Sequence, residues 1–180
     1  WSYGIGETFT LMIPNFRGGA SSSKIGTDSR FAEALKSRGV DPQTVNYFSS
    51  AAPTYWGEQP FTAGPVYVGA IVCLLFVLGL CIVKGPYKWG LLIATLFSVL
   101  LSWGHNFEWF SKLFFNYFPL YSKFRAVSSI LVVAQIAMPL LGFLALKEIF
   151  DKRVDARKLK RSILIAFGVT GGVSLFFAHF

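Results

Sequence analysis

Lys123 and Arg125 stand two residues apart, and from Ala126 to Leu146 the chain then runs for 21 residues without a charge. Cations at such an edge have two uses. They can snorkel to headgroups with their stems in hydrocarbon. They can also hold phosphate, Arg125 as a bidentate fork and Lys123 as a point charge. A lipid phosphate lies at this depth, so an anionic partner is expected where the cations stop. Tyr121, Trp109 and His105 lie just upstream and are the groups expected to touch the rest of such a ligand. Glu58 and Glu108 are the carboxylates nearest the same apolar edges. Either has the chemistry of a general base toward a hydroxyl or of a ligand to a divalent metal, and either could equally be a solvated loop residue. No catalytic residue is fixed by these observations, and no cofactor is certain.

The familiar catalytic signatures are missing: no P-loop glycine pattern, paired CxxC, HExxH or GxSxG occurs. His105 beside Asn106 reads first as a helix-end residue, and Asp41 before Pro42 as a turn residue. Cys73 and Cys81, eight apart in one apolar run, read as small hydrophobes and not as a disulfide.

The elements that must position these side chains belong to a membrane. Hydrophobic residues make up 53% of the 180-residue chain and charged residues 14%, against about 25% charged in soluble domains. The net charge of +8 is gathered between apolar runs, in segments 84–88, 104–125 and 147–161. That distribution sets topology and meets anionic lipid, and it argues against nucleic acid as a partner. The chain starts at Trp1 and stops at Phe180 inside an apolar run, so a segment of a longer chain, packed against its remaining helices, is expected.

Uncharged runs at 66–83, 89–103, 126–146 and 162–180 predict about four transmembrane helices, since about 20 residues cover the roughly 30 Å hydrocarbon core. The fold class expected is an all-α polytopic membrane protein, with residues 1–60 as a loop region and 61–180 as the helical region. If the first run enters from outside, segments 84–88 and 147–161 lie inside with nine Lys/Arg, while 104–125 lies outside with three. The positive-inside rule favours that orientation and puts 1–60 on the outer side.

Residues 1–60 show turn chemistry at Pro14-Asn15 and Gly18-Gly19, then a flexible serine run. A short helix follows, with Thr27 or Asp28 as N-cap and Gly39 as its stop. Within 103–121, Phe107, Phe110, Phe114 and Phe118 recur at spacings of three and four. That is the pattern of an amphipathic helix lying in the interface, placed to roof a lateral opening to a lipid cavity. Pro139 is expected to kink the third run near Gln135, and Gly168, Gly171 and Gly172 to permit close packing of the fourth.

The phrases TLMIPNFRGG, TYWGEQPFTAGPVYVG and NYFPLYSKFRAVSSILVVAQIAMPLLGF resemble the YfhO-like bacterial membrane proteins, over about residues 8–147. That family looks like the C-type glycosyltransferase superfamily. The resemblance implies a bacterial inner-membrane protein that transfers sugar from a polyprenyl-phosphate carrier to an envelope acceptor on the extracytoplasmic side. It also implies that the main catalytic carboxylate lies in an earlier loop, outside these residues, and that Arg125 meets the donor phosphate. Where many relatives continue with proline and a second arginine, this chain has Ala126, Val127 and Ser128, which weakens a two-arginine clamp. Two other readings stay open: a transporter or flippase for a lipid-linked substrate, and a non-catalytic envelope assembly protein.

Overall fold

A computed structural model describes residues 1–62, 64–119, 121–123 and 126–178. The described residues are helical and contain no strand; their extended pairing is limited to two isolated bridges, Gly18 with Tyr55 and Ser23 with Ala52. Seven α-helices are described: α1 (Arg30–Ser37), α2 (Pro42–Ser50), α3 (Ala70–Ile82), α4 (Tyr87–Ser102), α5 (Glu108–Tyr117), α6 (Val132–Phe150) and α7 (Ala156–Ala178). Short 3-10 turns include Ile5–Leu11, Gly104–Phe107, Tyr121–Lys123 and Val127–Leu131.

Among the described residues two helices are long and apolar enough to cross a bilayer, Val127–Phe150 and Ala156–Ala178. The bent pair Tyr87–Ser102 and Gly104–Tyr117 would be a third if it counts as one span, although its halves diverge by 109°. The first apolar run forms a helix of 13 residues, about 20 Å at 1.5 Å per residue, which is too short to cross alone. The reason is local. Gly69 sits at φ 115, a conformation open to glycine and closed to a continuing helix. The N–H groups of Val68 and Gly69 both turn aside to the Leu11 carbonyl, each at 3.0 Å.

The helices alternate in direction. Leu11 meets the start of α3, the Tyr3 N–H donates to Ser102 at the end of α4, and the Ser128 N–H donates to Trp1 before α6. At the end of α7, Phe177 packs on Phe9 and Phe16 with ring centroids 4.4 and 4.8 Å away. Residues 1–62 therefore gather at one end of the bundle. The basic segments 84–88 and 147–161 lie at the other, where Lys88 donates to the Leu80 carbonyl.

The core sits between α3 and α6. Ile82, Ala134, Leu141 and Ala145 are fully buried there, and α7 adds Ala166. Two glycines bring the helices together: a Cβ on Gly79 would lie 2.8 Å from the Leu141 carbonyl oxygen, and one on Gly142 would lie 3.1 Å from the Leu75 Cβ. Gly168, Gly171 and Gly172, expected to do this, would meet nothing within 4 Å. Small residues permit close packing only where a neighbouring helix arrives. The helix of α6 continues through Pro139, and Gln135 faces outward.

The loop region is more ordered by pairing than its composition implies. Ser29, not Thr27 or Asp28, caps α1, its hydroxyl accepting from the Ala32 N–H at 3.3 Å. Gly39 ends that helix with φ 79. Asp41 is a cap as well: its carboxylate accepts from the Thr44 N–H at 2.9 Å, and Pro42 opens α2. Those bonds hold the Asp41 carboxyl below its ordinary range. The serine run is zipped to the chain before α3: Ser23 and Ala52 exchange backbone bonds of 2.8 and 2.9 Å, and Ser21 pairs with Thr62.

Glycine packing yields a direct test. Gly79→Ala should destabilise the bundle by about 1–3 kcal/mol through overpacking, whereas Gly168→Ala should leave thermal unfolding in detergent unchanged or raise its midpoint. Equal effects of the two substitutions would contradict the α3–α6 crossing.

Candidate functional site

The site is built where α4 ends. Gly104 breaks the helix at φ 49, and it does so against two neighbours: a Cβ there would lie 2.8 Å from a Val127 methyl and closer still to the Ser2 hydroxyl. The chain then turns into α5, and its phenylalanines line up as expected. Phe107–Phe110, Phe110–Phe114 and Phe114–Phe118 have centroid separations of 5.4, 5.1 and 6.0 Å. Phe97 of α4 meets Phe110 and Phe114 edge-on at 5.7 and 5.2 Å. Edge-to-face contacts of this kind orient rings as well as bury them, so the aromatic row fixes how α5 folds back on α4.

Beneath that row lies a cavity of about 570 Å³, lined chiefly by Phe97, Leu101, Phe114, Phe118, Ile130 and Val132. Its wall is almost wholly apolar, and its size falls within the roughly 300–1,000 Å³ of small-molecule pockets. A second, more polar hollow of about 280 Å³ adjoins it, lined by His105, Glu108, Ser111 and Lys112 among others. Tyr121 and Val127 line both. The Tyr121 ring packs on Phe114 at 6.0 Å. Burial pushes its phenol above the ordinary range, with the Ser111 hydroxyl acting in the opposite sense.

The residues expected from sequence distribute around these two spaces. His105 lines the polar hollow, its backbone N–H donating to the Ser2 hydroxyl at 3.0 Å. Glu108 lines it as well and pairs with Lys112 at 2.7 Å, one helical turn on. That hydrogen bond and charge hold the Glu108 carboxyl below its usual value. Trp109 points away from both spaces, 72% exposed, with its ring on Phe107. Lys123 is exposed at the end of the turn that begins with Tyr121. Arg125 lies outside the described residues.

Glu58 is exposed and accepts from the Asn106 side-chain amide, whose other proton goes to the Tyr3 carbonyl at 3.1 Å. Glu58 therefore joins the turn that carries His105, bringing two distant candidates to one corner. No group of three or more His, Cys, Asp or Glu able to hold a metal occurs among the described residues.

Sequence reading missed Glu7. Its side chain is 1% exposed and accepts 2.6 Å bonds on one oxygen from the Tyr55 hydroxyl and the Glu58 N–H. The Gln59 amide donates to the other oxygen at 3.3 Å. Three donors satisfy a carboxylate that burial would otherwise penalise heavily. The signal was faint: a carboxylate between Gly6 and Thr8, with a Tyr-Trp-Gly-Glu-Gln stretch some fifty residues on. Gly57 makes the approach possible, since a Cβ there would lie 2.0 Å from the Glu7 oxygen. Burial and the Glu7 carboxylate raise the Tyr55 phenol. Burial also lifts the Tyr3 phenol to about 12.

No family model, curated protein or solved structure matches this chain. The residues themselves define the class: an all-helical chain with two or three helices able to span a membrane and a half-apolar, half-polar recess at the bend of α4 into α5.

The raised Tyr3 phenol sets a pH dependence. Native Tyr3 holds its proton more tightly than the unfolded chain does, so its contribution is complete below pH about 10 and is lost as pH rises toward about 12. A shift of that size corresponds to about 3 kcal/mol. Alkaline unfolding should fall in that window, and Tyr3→Phe should flatten the slope, followed by tyrosinate absorbance and thermal midpoint together. A slope unaltered by Tyr3→Phe would remove Tyr3 as its source.

Proposed function

We propose that the recess holds a lipid with an anionic phosphate head, its chain in the apolar cavity and its phosphate at the polar hollow. The observation that carries this reading is the shared wall. Tyr121 and Val127 face both spaces, so one amphipathic molecule can occupy them together. Two cations are at hand for an anion: Lys123, exposed at the end of the turn that Tyr121 opens, and Lys112, which lines the hollow paired with Glu108 and would exchange that partner for the phosphate. A basic side chain near a membrane surface contributes about 1 kcal/mol toward anionic lipid.

On this reading the chain is a segment of a polytopic protein of the bacterial inner membrane, with the gathered end of residues 1–62 extracytoplasmic and the basic segments inside. Four passages belong to this reading, the long apolar helices Val127–Phe150 and Ala156–Ala178 together with the shorter α3 and α4. The short α3 completes its passage because its non-helical lead-in is hydrogen-bonded to Leu11 and not left bare to lipid. Together with the YfhO-like resemblance, the recess favours a polyprenyl-phosphate sugar as the lipid, and sugar transfer as the activity of the parent chain. In that reaction an acceptor oxygen bonds to the anomeric carbon, the bond from that carbon to the phosphate oxygen breaks, and the lipid phosphate departs as an anion. Arg125 and Lys123 are assigned to that phosphate, and the acceptor's hydroxyl proton passes to the carboxylate of an earlier loop that the resemblance implies, with Glu58 and Glu108 as secondary polar contacts.

Three variants test the site in nanodiscs. Ile130→Trp should fill the apolar cavity and abolish binding of a polyprenyl phosphate probe, read by native mass spectrometry. Lys112→Glu with Lys123→Glu should weaken that probe about tenfold or more, at about 1 kcal/mol for each cation lost, and leave a neutral polyprenol unaffected. If phosphate and alcohol bind the wild type alike, the anionic part of the reading is wrong. Arg125→Ala should then cut sugar transfer by about two orders of magnitude or more, the effect of losing one oxyanion donor, without changing the thermal midpoint.

A further inference from the structure

We infer that Glu7 is a specificity-determining positioning residue for this recess, acting through the Tyr55–Gln59 loop to fix the width of its outer end. The inference rests on the lipid-binding reading given above.

The cavity has two walls that come from different parts of the chain. One is the bend of α4 into α5, with Phe97, Leu101 and Phe114; the other is the run from Ala126 to Val132. The loop ties both. Glu58 accepts from Asn106 on the first wall's turn, and Gln59 accepts from the Ser128 hydroxyl, at 3.4 Å, on the second. Both residues are bonded to Glu7, Glu58 through its N–H and Gln59 through its side-chain amide. The Gln59 amide is thus used at both ends, its nitrogen toward Glu7 and its oxygen toward Ser128. The Tyr55 hydroxyl completes the knot, donating to Glu7 and accepting from the Gln59 N–H at 3.0 Å.

Glu7 is itself fixed. Its 3-10 turn is tied to the first wall because the Trp103 indole donates to Thr8 at 2.9 Å. Turn, loop and both walls therefore form one closed circuit with the buried carboxylate as its common acceptor. With the two walls tied across the loop at Asn106 and Ser128, their spacing at that end is fixed. A misfit of one methyl group in an apolar pocket changes affinity about tenfold or more, so a braced recess discriminates between a methyl-branched and a straight chain.

Glu7→Met keeps the length of the side chain but removes both acceptor oxygens, so the Tyr55 hydroxyl, the Glu58 N–H and the Gln59 amide lose their common acceptor and the circuit opens. The test uses the full chain in nanodiscs with two probes, a polyprenyl phosphate and a straight-chain alkyl phosphate of similar length. Wild type should separate their dissociation constants by about tenfold, Glu7→Met should bring them within about twofold, and Ser128→Ala should move the ratio in the same direction. Ser128→Ala leaves the buried carboxylate intact and decides the matter if Glu7→Met does not fold. A residue that merely supports the fold would weaken both probes equally and leave the ratio unchanged, and that result in both variants overturns the inference. A wild type with no preference also overturns it. A wild type that binds neither probe refutes the lipid site itself, a failure distinguishable from loss of the brace alone.

Discussion

A buried carboxylate needs donors, and in this molecule the donors come from a segment some fifty residues away. Leaving Glu7 unpaired would cost several kcal/mol, so the Ile5–Leu11 turn and the Tyr55–Gln59 loop are bound to find each other. That pairing joins the N-terminal turn to the loop before α3. It sets the path from the N-terminal turn to Val68 and Gly69, hence the start of α3. It also carries Glu58 to Asn106 and Gln59 to Ser128. The helices supply the apolar surface, while this polar knot decides where their ends lie.

Much of the helical part was legible because hydrophobic runs and ring spacing are local signals. The phenylalanines at 107, 110, 114 and 118 marked one face of a helix, and the contacts among them have that periodicity. The apolar runs marked α3, α4, α6 and α7. Their lengths were less legible. Val66–Val68 are as apolar as the helix that follows, yet they stay extended because Leu11 offers a carbonyl and Gly69 accepts a positive φ. At the other extreme, α7 begins among basic residues at Ala156, where Asp155 accepts from the Arg157 N–H. Helix ends answer to backbone partners that hydropathy does not record.

What sequence reading missed depends on contacts between distant residues. Gly79 and Gly142 look like ordinary glycines in apolar runs, whereas Gly168, Gly171 and Gly172, though they lack full GxxxG spacing, look able to permit close packing. The roles are reversed because α6 crosses α3 at the first pair and no described helix comes within 4 Å of a side chain on the second set. Glu7 was invisible for the same reason: a glutamate in a glycine-threonine stretch reads as solvated until its partners are placed. Glu58 was expected only as a carboxylate beside an apolar run, and its bond to Asn106, which joins it to the His105 turn, was not legible.

The bend at Gly104 shows how the two kinds of information combine. Apolar periodicity asks α4 and α5 to bury their aromatic faces, and a straight helix through Ser102 and Gly104 would carry those faces away from the bundle. Glycine allows the turn, yet allowance alone does not choose its direction. The direction is set by Ser2 and Tyr3, which take the His105 N–H, the Asn106 amide and the Ser102 carbonyl at the corner. With the corner fixed, Phe97 must face Phe110 and Phe114, and Phe97 and Phe114 line one side of a space whose other side is Ala126, Val127, Ile130 and Val132. The apolar cavity is the space left between them. A recess with an apolar and a more polar part is therefore a consequence of folding this sequence around a polar corner, with Lys112 and Glu108 on the polar side.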